Sequence, residues 1–457
     1  MLVEPSKGNT PGTQQPEPVS TKQRRIAELA RAHPQRAFIA LNHYLDYDWL
    51  YQAYRKTRKD GAPGIDGVTA ATYESCLQEN LAGLLERLQS GRYQAPAVRR
   101  AYVSKDDGTP RPLGIPTFED KVAQRAMVML LEPIYEQDFL DCSYGFRPGR
   151  SPHQALERLR NDITYRHGRW ILDLDISNYF GTIDHRQLRA ALDQRVKDGL
   201  VRKLIDKWLK AGVLEDGLRT VPDEGTPQGG VASPLLANVF LHYILDAWFH
   251  REVVPRLRGR SSMVRYADDV VCVFEHRDDA ERVREVLGKR LAKYGLTLHP
   301  TKTHLVDLRV VPGREDPSGE PREHTFDFLG FTHVWKRSLR GTWAVFRQTA
   351  KKRLARSLRR VSDYCRRHRH APLREQHQYL CRLLRGHYAY YGILGNSRGI
   401  ASFAYQVRRL WHKWLKRRNG LRRLTWAKFN EMLRRLVLPA PRIVHTFGWT
   451  PLSKPAT

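Results

Sequence analysis

The spacing of apolar residues predicts helices near the start of the chain. Between residues 76 and 88, apolar side chains recur at helical intervals, and Gly91 follows as a stop signal. Residues 122–132 show the same spacing, and Pro133 is expected just beyond the end of that helix. The glycine- and proline-rich residues 61–67 predict a loop dense in turns before the first of these helices.

Shorter apolar runs predict strands in the middle of the chain. Residues 170–176 alternate between apolar and polar side chains, which places Asp173 and Asp175 together on one face of a strand. Residues 263–267 and 270–274 are two apolar runs with only two aspartates between them, a pattern that predicts a β-hairpin. From about residue 350 the pattern changes to helices rich in arginine and aromatic residues.

The net charge of the chain points to a polyanionic partner. The 457 residues include 78 Lys and Arg against 48 Asp and Glu, which gives a net charge of +30. Residues 351–420 hold 19 basic and 2 acidic side chains, a net charge of +17 within a short segment. Solubility needs far less charge than this, so a polyanion is the default partner.

Cysteine usage and hydropathy exclude several classes of protein. The five cysteines are odd in number and form no C-x-x-C pair, so neither a zinc finger nor a disulfide framework is expected. No apolar run reaches transmembrane length, and the proline-containing N-terminal segment lacks the apolar core of a signal peptide. We therefore expect a cytoplasmic protein without a membrane partner.

The aspartates at the tip of the predicted hairpin suggest a metal site. Adjacent carboxylates repel each other unless a cation lies between them, and Asn-Gly or Asp-Gly would make the easier turn. Hard divalent cations prefer carboxylate oxygens, so Mg²⁺ is the natural candidate for Asp268 and Asp269. The acidic face of the strand at 170–176 would supply a further carboxylate, and two ions held in this way suit phosphoryl transfer. An isolated Asp-Asp pair is usually a solvated loop, and clustered carboxylates also occur in phosphodiester nucleases.

Several motifs resemble those of reverse transcriptases, and the chain as a whole resembles the group II intron-encoded reverse transcriptase/maturases. The similarity runs from about residue 40 almost to the C-terminus. In chain order the motifs are Gly-Ala-Pro-Gly-Ile-Asp-Gly at 61–67, Arg-Pro-Leu-Gly-Ile-Pro at 111–116, Ser-Tyr-Gly-Phe-Arg-Pro at 143–148, Asp-Leu-Asp-Ile at 173–176, Thr-Pro-Gln-Gly-Gly at 226–230, Tyr-Ala-Asp-Asp at 266–269 and Phe-Leu-Gly-Phe at 328–331.

This resemblance implies an α+β fold of the right-hand polymerase type. It would have fingers, a ferredoxin-like palm and an all-helical thumb/maturase region. The implied segments are a disordered polar tail at 1–30, an N-terminal extension and fingers at 31–94, reverse transcriptase fingers and palm at 95–335, a helical thumb/maturase domain at 345–425 and a C-terminal tail at 426–457.

The resemblance also implies the identity of the metal ligands. The family pattern places a catalytic carboxylate at Asp175, with Asp173 as the alternative, beside Asp268 and Asp269. Of the hairpin pair, Asp268 is the firmer ligand. The backbone carbonyl of Ile176 would lie beside the second of two Mg²⁺ ions, for which Mn²⁺ can substitute.

Five further residues would contact the incoming deoxynucleoside triphosphate in such an enzyme. Lys105 and Arg111 suit its phosphates, as a point charge and a forked donor respectively. The ring of Phe180 would exclude a 2′-hydroxyl, and Gln228 would lie near the nucleotide. Lys302 resembles the lysine that protonates the leaving pyrophosphate.

The basic helical segment would bind RNA. Aromatic residues interleaved with basic ones suit phosphate contacts and recognition of RNA shape. The candidate RNA-binding residues are Arg385, Lys413, Lys416, Arg417 and Arg418. His387 lies in the same segment, and a packed or hydrogen-bonded histidine is the favoured interpretation there.

The implied function is RNA-directed DNA polymerisation with an RNA template, a DNA primer or target and deoxynucleoside triphosphates. Binding of group II intron RNA would assist splicing and mobility from a cytoplasmic, bacterial-type ribonucleoprotein. The alternatives are a free-standing, intron-like reverse transcriptase with a host repair or defence role, and an RNA-binding maturase without polymerase activity. Gly181 departs from the aspartate that many relatives carry, and no endonuclease segment is visible, so DNA nicking is not predicted.

Overall fold

The computed structural model shows a mixed α and β chain that forms two compact units. It describes residues 18–104, 110–165, 168–215, 218–220, 225, 229–308, 324–337, 341, 343–418 and 424–446. The first unit comprises Met1–Tyr102, Pro112–Phe139 and Phe180–Phe240, and the second comprises Val103–Arg111, Leu140–Tyr179 and Leu241–Thr457.

Helices and strands alternate up to about residue 350, after which the described elements are helical. The helices are α1 (Val19–Ala32), α2 (Tyr47–Lys56), α3 (Ala70–Glu74), α4 (Leu77–Gln89), α5 (Phe118–Tyr135), α6 (Pro152–Tyr165), α7 (His185–Leu192), α8 (Gly199–Leu209), α9 (Ser233–Leu241), α10 (Arg277–Ala292), α11 (Lys351–Arg367), α12 (Leu373–Tyr391), α13 (Ser397–Leu415) and α14 (Trp426–Arg435). The strands are β1 (Val98–Ser104), β2 (Pro110–Ile115), β3 (Trp170–Leu174), β4 (Val213–Glu215), β5 (Leu218–Thr220), β6 (Ser261–Tyr266), β7 (Asp269–Phe274), β8 (His304–Asp307), β9 (Thr325–Phe328), β10 (Phe331–Arg337) and β11 (Trp343–Thr349).

In the first unit, helices α1 and α2 pack on the buried helix α5. The indole of Trp49 in α2 donates a hydrogen bond of 3.0 Å to the carbonyl of Ala126 in α5. At the start of α5, the buried carboxyl of Asp120 accepts hydrogen bonds from Tyr93 and from the indole of Trp208. Burial raises the pKa of Asp120 and these donors partly offset the rise, so that the pKa is about 6. Strands pair beside this core in the order β2-β1-β4-β5.

In the second unit, a four-stranded sheet carries the predicted hairpin. Its strand order is β6-β7-β3-β8, and each strand runs antiparallel to its neighbour. Ile171, Val271 and Val306 on one face are fully buried, and they share an apolar core with helix α6 and with the sheet β11-β10-β9. The strands predicted at 170–176, 263–267 and 270–274 are thus confirmed as β3, β6 and β7.

Helices α11 to α14 surround a separate aromatic and aliphatic core. Phe403 and Trp411 of α13 and Phe429 of α14 are fully buried within it. The indole of Trp411 donates a hydrogen bond of 3.0 Å to the side chain of Gln376 in α12. This arrangement confirms the helical character predicted after residue 350.

The structure corrects the boundaries predicted for the two terminal tails. Helix α1 begins at Val19, inside the segment predicted as a disordered tail at 1–30, because Ile26 and Ala30 lie one helical turn apart and are both fully buried. Helix α14 lies in the segment predicted as a C-terminal tail at 426–457, because Phe429 anchors it to the helical core. In both places a few buried side chains order a segment whose composition is mostly polar.

The position of Pro133 also differs from the prediction. The proline lies inside α5, which continues to Tyr135, and not beyond the end of the helix. Proline lacks the N–H that would bond to the preceding turn. Ile134 and Tyr135 are fully buried, so tertiary packing favours continuation of the helix for these last residues.

We predict that the buried ring of His333 makes the fold sensitive to acid. His333 lies on β10, is fully buried and stacks on Phe326 at 4.6 Å between ring centroids. Burial, reinforced by the charge of Arg347 opposite it, lowers the pKa of His333 to about 3. Because the unfolded chain has an ordinary histidine pKa, protonation of His333 leaves the free energy of unfolding unchanged above about pH 6.5. Below that pH, the free energy of unfolding decreases by about 1.4 kcal/mol per pH unit as the pH falls towards 3.

Urea unfolding between pH 7 and pH 4 tests this prediction. The His333→Leu variant should lose less stability over that range than the unchanged chain. Substitution of the exposed His370 by leucine is the control and should leave the slope as it was. Equal slopes for His333→Leu and the unchanged chain would contradict the assignment.

Candidate active site

The two aspartates of the hairpin occupy different positions in it. Tyr266 at the end of β6 pairs with Asp269 at the start of β7, so Ala267 and Asp268 alone form the turn. The predicted Asp-Asp tip is therefore shifted by one residue, and Asp269 belongs to a strand. Ala267 has a φ of 58°, in the left-handed region that costs a non-glycine residue about 1–2 kcal/mol.

A buried ion pair supports this turn from within the protein. Arg265 and Asp246 are both fully buried, and two guanidinium nitrogens meet the two carboxylate oxygens at 2.8 and 2.5 Å. A third nitrogen, Nη1 of Arg265, donates to the carbonyl oxygen of Ala267 at 3.0 Å. This pair was not predicted, although an arginine inside the apolar run at 263–267 is a visible signal in the sequence.

The backbone at Gly145 packs directly against the turn. A Cβ atom on Gly145 would lie 2.3 Å from the backbone nitrogen of Ala267, which is closer than real Cβ atoms approach. Next to it, Tyr144 donates a backbone hydrogen bond of 2.8 Å to the carbonyl of Arg265. The motif at 143–148 thus acts here through its small glycine and its backbone.

Strand β3 brings two further carboxylates to the same end of the sheet. Leu174 pairs with Val270, so Asp175 follows at the end of β3 where β7 begins with Asp269. The backbone around Asp175 is fixed because its carbonyl accepts a hydrogen bond of 2.7 Å from His299. Asp173 precedes it within β3, opposite Val271.

Electrostatics show that these carboxylates affect one another. Burial, followed by the charges of Asp269 and Asp175, raises the pKa of Asp173 to about 7. The residue Asp269 is exposed to solvent. Desolvation by the surrounding protein atoms and then the charges of Asp268 and Asp175 nevertheless raise its pKa to about 6. The pKa of Asp268 is also raised, first by burial. Burial is thus the largest cause of the raised pKa values, and repulsion between neighbouring carboxylates adds to it.

Three basic side chains lie near these carboxylates. The ammonium nitrogen of Lys302 is 2.9 Å from a carboxylate oxygen of Asp175. The charge of Arg111 opposes the rise in the pKa of both Asp268 and Asp269, and the charge of Arg353 opposes the rise in the pKa of Asp269. Arg353 was not predicted; it lies in the first turn of the basic helix α11, and only the fold relates it to the site.

The donor set fits a hard divalent cation, because clustered carboxylate oxygens with raised pKa values are stabilised by added positive charge. Across the described ranges, no three His, Cys, Asp or Glu side chains are already closed around a potential metal position. The carboxylates therefore lie near one another at the end of the sheet without enclosing a common metal position. Ile176, the predicted carbonyl ligand, is buried and forms a β-bridge with Leu298.

The other predicted nucleotide contacts have different outcomes. Lys105 and Gln228 lie outside the described residues. Arg111 is exposed on β2. Phe180 is partly buried in a 3₁₀ turn, Tyr179–Gly181, and a Cβ on Gly225 would lie 2.8 Å from its carbonyl oxygen.

The candidate RNA-binding residues lie on or just after the basic helices. Arg385 on α12 and Lys413 on α13 are exposed, as are Lys416 and Arg417 beyond α13. Arg418 differs, because its guanidinium donates to the carbonyl of His370 at 3.1 Å and so links the segment after α13 to the segment between α11 and α12. Within the described part of the chain, no helix has the length and apolarity needed to cross a membrane.

Comparisons with known proteins agree with these motifs. The reverse transcriptase (RNA-dependent DNA polymerase) family model matches residues 103–333. Protein YkfC of Escherichia coli (strain K12) is 37% identical over 302 residues, which cover 58% of this chain and 79% of YkfC. The group II intron-encoded protein LtrA of Lactococcus lactis subsp. cremoris is 37% identical over 278 residues, 58% of this chain and 46% of LtrA. Nuclear intron maturase 1, mitochondrial, of Arabidopsis thaliana is 33% identical over 115 residues, 25% of this chain and 16% of that protein.

Proposed function

Because the chain belongs to the reverse transcriptase (RNA-dependent DNA polymerase) family, we propose that Asp175, Asp268 and Asp269 are the catalytic metal ligands of an RNA-directed DNA polymerase. The observation that carries this proposal is the register of β6, β7 and β3, which gathers carboxylates from separate strands at one end of a sheet. Asp173 shares the cluster and is the alternative ligand.

The proposed cofactor is a pair of Mg²⁺ ions, which Mn²⁺ can replace. Such ions, when bound, would polarise a primer 3′-hydroxyl and neutralise the leaving pyrophosphate. The chain's own residues position these groups. Asp175 is fixed by the backbone bond from His299, and Lys302 lies within reach of the same carboxylate to hold or donate a proton. The carbonyl of Ile176 would lie beside the second ion.

The proposed nucleotide contacts follow from side-chain chemistry and the family resemblance. Lys105 and Arg111 would bind the triphosphate, and the effect of Arg111 on Asp268 and Asp269 supports its place near the reacting groups. Phe180 would select deoxynucleotides, and Gln228 would lie beside the base or sugar. Lys302 would act on the pyrophosphate.

We extend the proposal to a right-hand architecture. The sheet β6-β7-β3-β8 would form a ferredoxin-like palm within the fingers and palm at 95–335, and the helical segment at 345–425 would form the thumb. Since α14 shares the core of α11 to α13, the thumb would extend to about residue 435. The N-terminal extension would begin at α1 and include residues 31–94.

The sequence relationship to LtrA and to an intron maturase supports a group II intron type of enzyme. We propose that the basic helices bind intron RNA through Arg385, Lys413, Lys416, Arg417 and Arg418, and thereby assist splicing and mobility. The partners would be intron RNA, an RNA template, a DNA primer or target and deoxynucleoside triphosphates, within a cytoplasmic ribonucleoprotein. A host-serving, intron-like reverse transcriptase is the alternative, and sequencing the RNA that copurifies with the protein would distinguish the two.

Primer extension tests the polymerase proposal. The purified chain is incubated with Mg²⁺, deoxynucleoside triphosphates and an RNA template annealed to a DNA primer, with both strands labelled. The proposal predicts primer lengthening on an intact template. Template shortening would indicate a nuclease, and intact, unextended strands together with tight RNA binding would indicate a maturase without polymerase activity.

A single methyl group at Gly145 should disturb catalysis. The Gly145→Ala variant would push the backbone of Ala267, and with it Asp268, out of position. We expect kcat for nucleotide addition to fall about tenfold or more, since small displacements of a reacting group are costly. The matched control is Gly83→Ala in α4, where an added Cβ meets nothing within 4 Å. An unchanged kcat for Gly145→Ala would show that the turn tolerates displacement.

A further inference from the structure

A cavity opens among helices α11, α12 and α13, apart from the carboxylate cluster. Its volume is about 480 Å³, within the usual range for pockets that hold small ligands. All of its lining residues belong to these three helices, and Gly386 of α12 lies in its wall.

Aromatic rings form one part of the cavity lining. His387 stacks on the buried Phe403, with 3.7 Å between ring centroids and 18° between ring planes. Tyr379 also lines the cavity, and its ring is held by stacking on Tyr364 at 3.5 Å. Rings fixed in this way present flat surfaces on which a planar ligand can stack.

The imidazole of His387 lines the cavity and carries a buried nitrogen without a partner in the described ranges. The residue is only 8% exposed, and its Nε2 has no hydrogen-bond partner among the described residues. Burial lowers the pKa of His387 to about 4, so the ring is neutral at pH 7. A neutral imidazole has one N–H donor and one acceptor nitrogen, which matches the mixed donors and acceptors of a nucleobase edge.

Two arginines supply positive charge to the same cavity. Arg360 of α11 and Arg382 of α12 both line it, and both are exposed. Within the part of the chain that the structure describes, neither forms an ion pair. Guanidinium groups bind phosphate with well-defined geometry. An acidic peptide would satisfy these charges but would leave the aromatic wall without a matching partner.

Gly386 keeps the cavity open at a cost to the helix. Glycine within a helix is less favourable than alanine, yet a Cβ at Gly386 would meet nothing within 4 Å. Packing of the protein against itself therefore does not require glycine at this position. Gly386 lines the cavity, so a larger side chain there would extend from the cavity wall.

We propose that this cavity binds one unpaired nucleotide, with its base against Tyr379 and His387 and its phosphate at Arg360 and Arg382. The inference rests on the proposed RNA-binding role of the helical segment and gives that role a specific site. The nucleotide would belong to a single-stranded or looped RNA, because stacking of an exposed base on aromatic rings is how proteins hold unpaired RNA. A free nucleoside monophosphate has the same chemistry, and the experiment separates the two sources.

The test compares Gly386→Leu with Gly83→Leu in the full-length chain. Both substitutions place a good helix former on a helix where the added Cβ has open space, but only the first enters the cavity. Affinities are measured by fluorescence anisotropy for a short single-stranded RNA and for an RNA duplex, and by calorimetry for adenosine monophosphate. Thermal melting reports whether each variant folds.

The proposal predicts that Gly386→Leu binds the single strand about tenfold more weakly, which is the scale of one base–aromatic stacking contact. Duplex affinity and the melting temperature should not fall, and Gly83→Leu should bind as the unchanged chain does. Loss of adenosine monophosphate binding as well would identify a free nucleotide as a ligand. Loss of single-strand binding alone would identify an RNA-borne one. Equal single-strand and monophosphate affinities for the two leucine variants would overturn the proposal.

Two further measurements keep the test decisive if Gly386→Leu melts early. The double variant Arg360→Gln/Arg382→Gln should weaken single-strand binding more than Arg359→Gln/Arg374→Gln, which alters exposed arginines of the same helices outside the cavity. Photocrosslinking with 5-iodouridine RNA should map to Tyr379. Equal affinities of the two double variants, or crosslinks elsewhere only, would also refute the site. Primer extension by the unchanged chain separates this outcome from failure of the polymerase proposal, since extension can persist when the cavity binds nothing.

Discussion

The Asp268→Asn variant is expected to lose about a thousandfold in the rate of nucleotide addition, on the scale of a lost metal-ion contribution of several kcal/mol. Asparagine keeps the shape of the side chain but removes the charge that would hold a cation. Asp268 lies in the turn between β6 and β7, whereas Asp269 begins a strand and Asp173 lies further from the sheet end. We therefore expect a smaller loss for Asp269→Asn and the smallest for Asp173→Asn.

The same substitution should not lower the stability of the fold. The pKa of Asp268 is raised in the folded protein, which means that its ionised form is disfavoured there relative to the unfolded chain. Removing the charge at neutral pH should leave the free energy of unfolding unchanged or increase it. Single-nucleotide addition and urea unfolding measure the two effects. The exposed Asp278→Asn is the control, and a destabilised Asp268→Asn would indicate a structural role for this carboxylate instead.

The Arg265→Met variant should show the opposite signature, with a large loss of stability. Its removal leaves Asp246 as an uncompensated charge in a fully buried position. Breaking a buried ion pair in this way typically costs about 3–5 kcal/mol. Urea unfolding measures this loss, and Arg265→Lys should recover only part of it, because a single ammonium group does not reproduce the forked contacts to Asp246 and Ala267.

A double variant separates the structural and the positioning roles of the pair. Arg265→Met/Asp246→Leu removes both charges, so most of the lost stability should return. The hydrogen bond to the carbonyl of Ala267 stays absent in this variant, and the left-handed turn loses that support. We expect kcat to remain about tenfold below that of the unchanged chain, with KM for the nucleotide little altered. Full recovery of kcat together with stability would show that the pair acts only on the fold.

The sequence predicted the elements that carry the proposed site but not the contacts that hold them. Alternating or continuous apolar runs were sufficient for β3, β6 and β7, because these strands bury one or both faces. The paired aspartates stood out for the same reason, as charges in an apolar setting. Arg265 and Asp246 are 19 residues apart and meet only through tertiary folding, so no local pattern joins them. The close approach of Gly145 to Ala267 is likewise a relation between distant segments.

The terminal segments show a second limit of pattern analysis. Helices α1 and α14 are mostly polar, and each depends on a few side chains that fill sites made by other helices. Composition alone therefore suggested tails. The cavity at Gly386 was also out of reach, since His387 could be assigned only as a packed histidine until α13 was seen to place Phe403 beneath it.

The rate of single-nucleotide addition to a DNA primer on an RNA template, measured against Mg²⁺ concentration, tests whether the cluster of Asp175, Asp268 and Asp269 is the polymerase centre. We predict that the unchanged chain adds the complementary deoxynucleotide, that a chelator stops the reaction and that Mg²⁺ restores it. Asp268→Asn should show no comparable recovery at any Mg²⁺ concentration while it still binds the RNA. Addition that continues in the chelator, or at the normal rate in Asp268→Asn, would contradict the assignment of this carboxylate cluster as the polymerase centre.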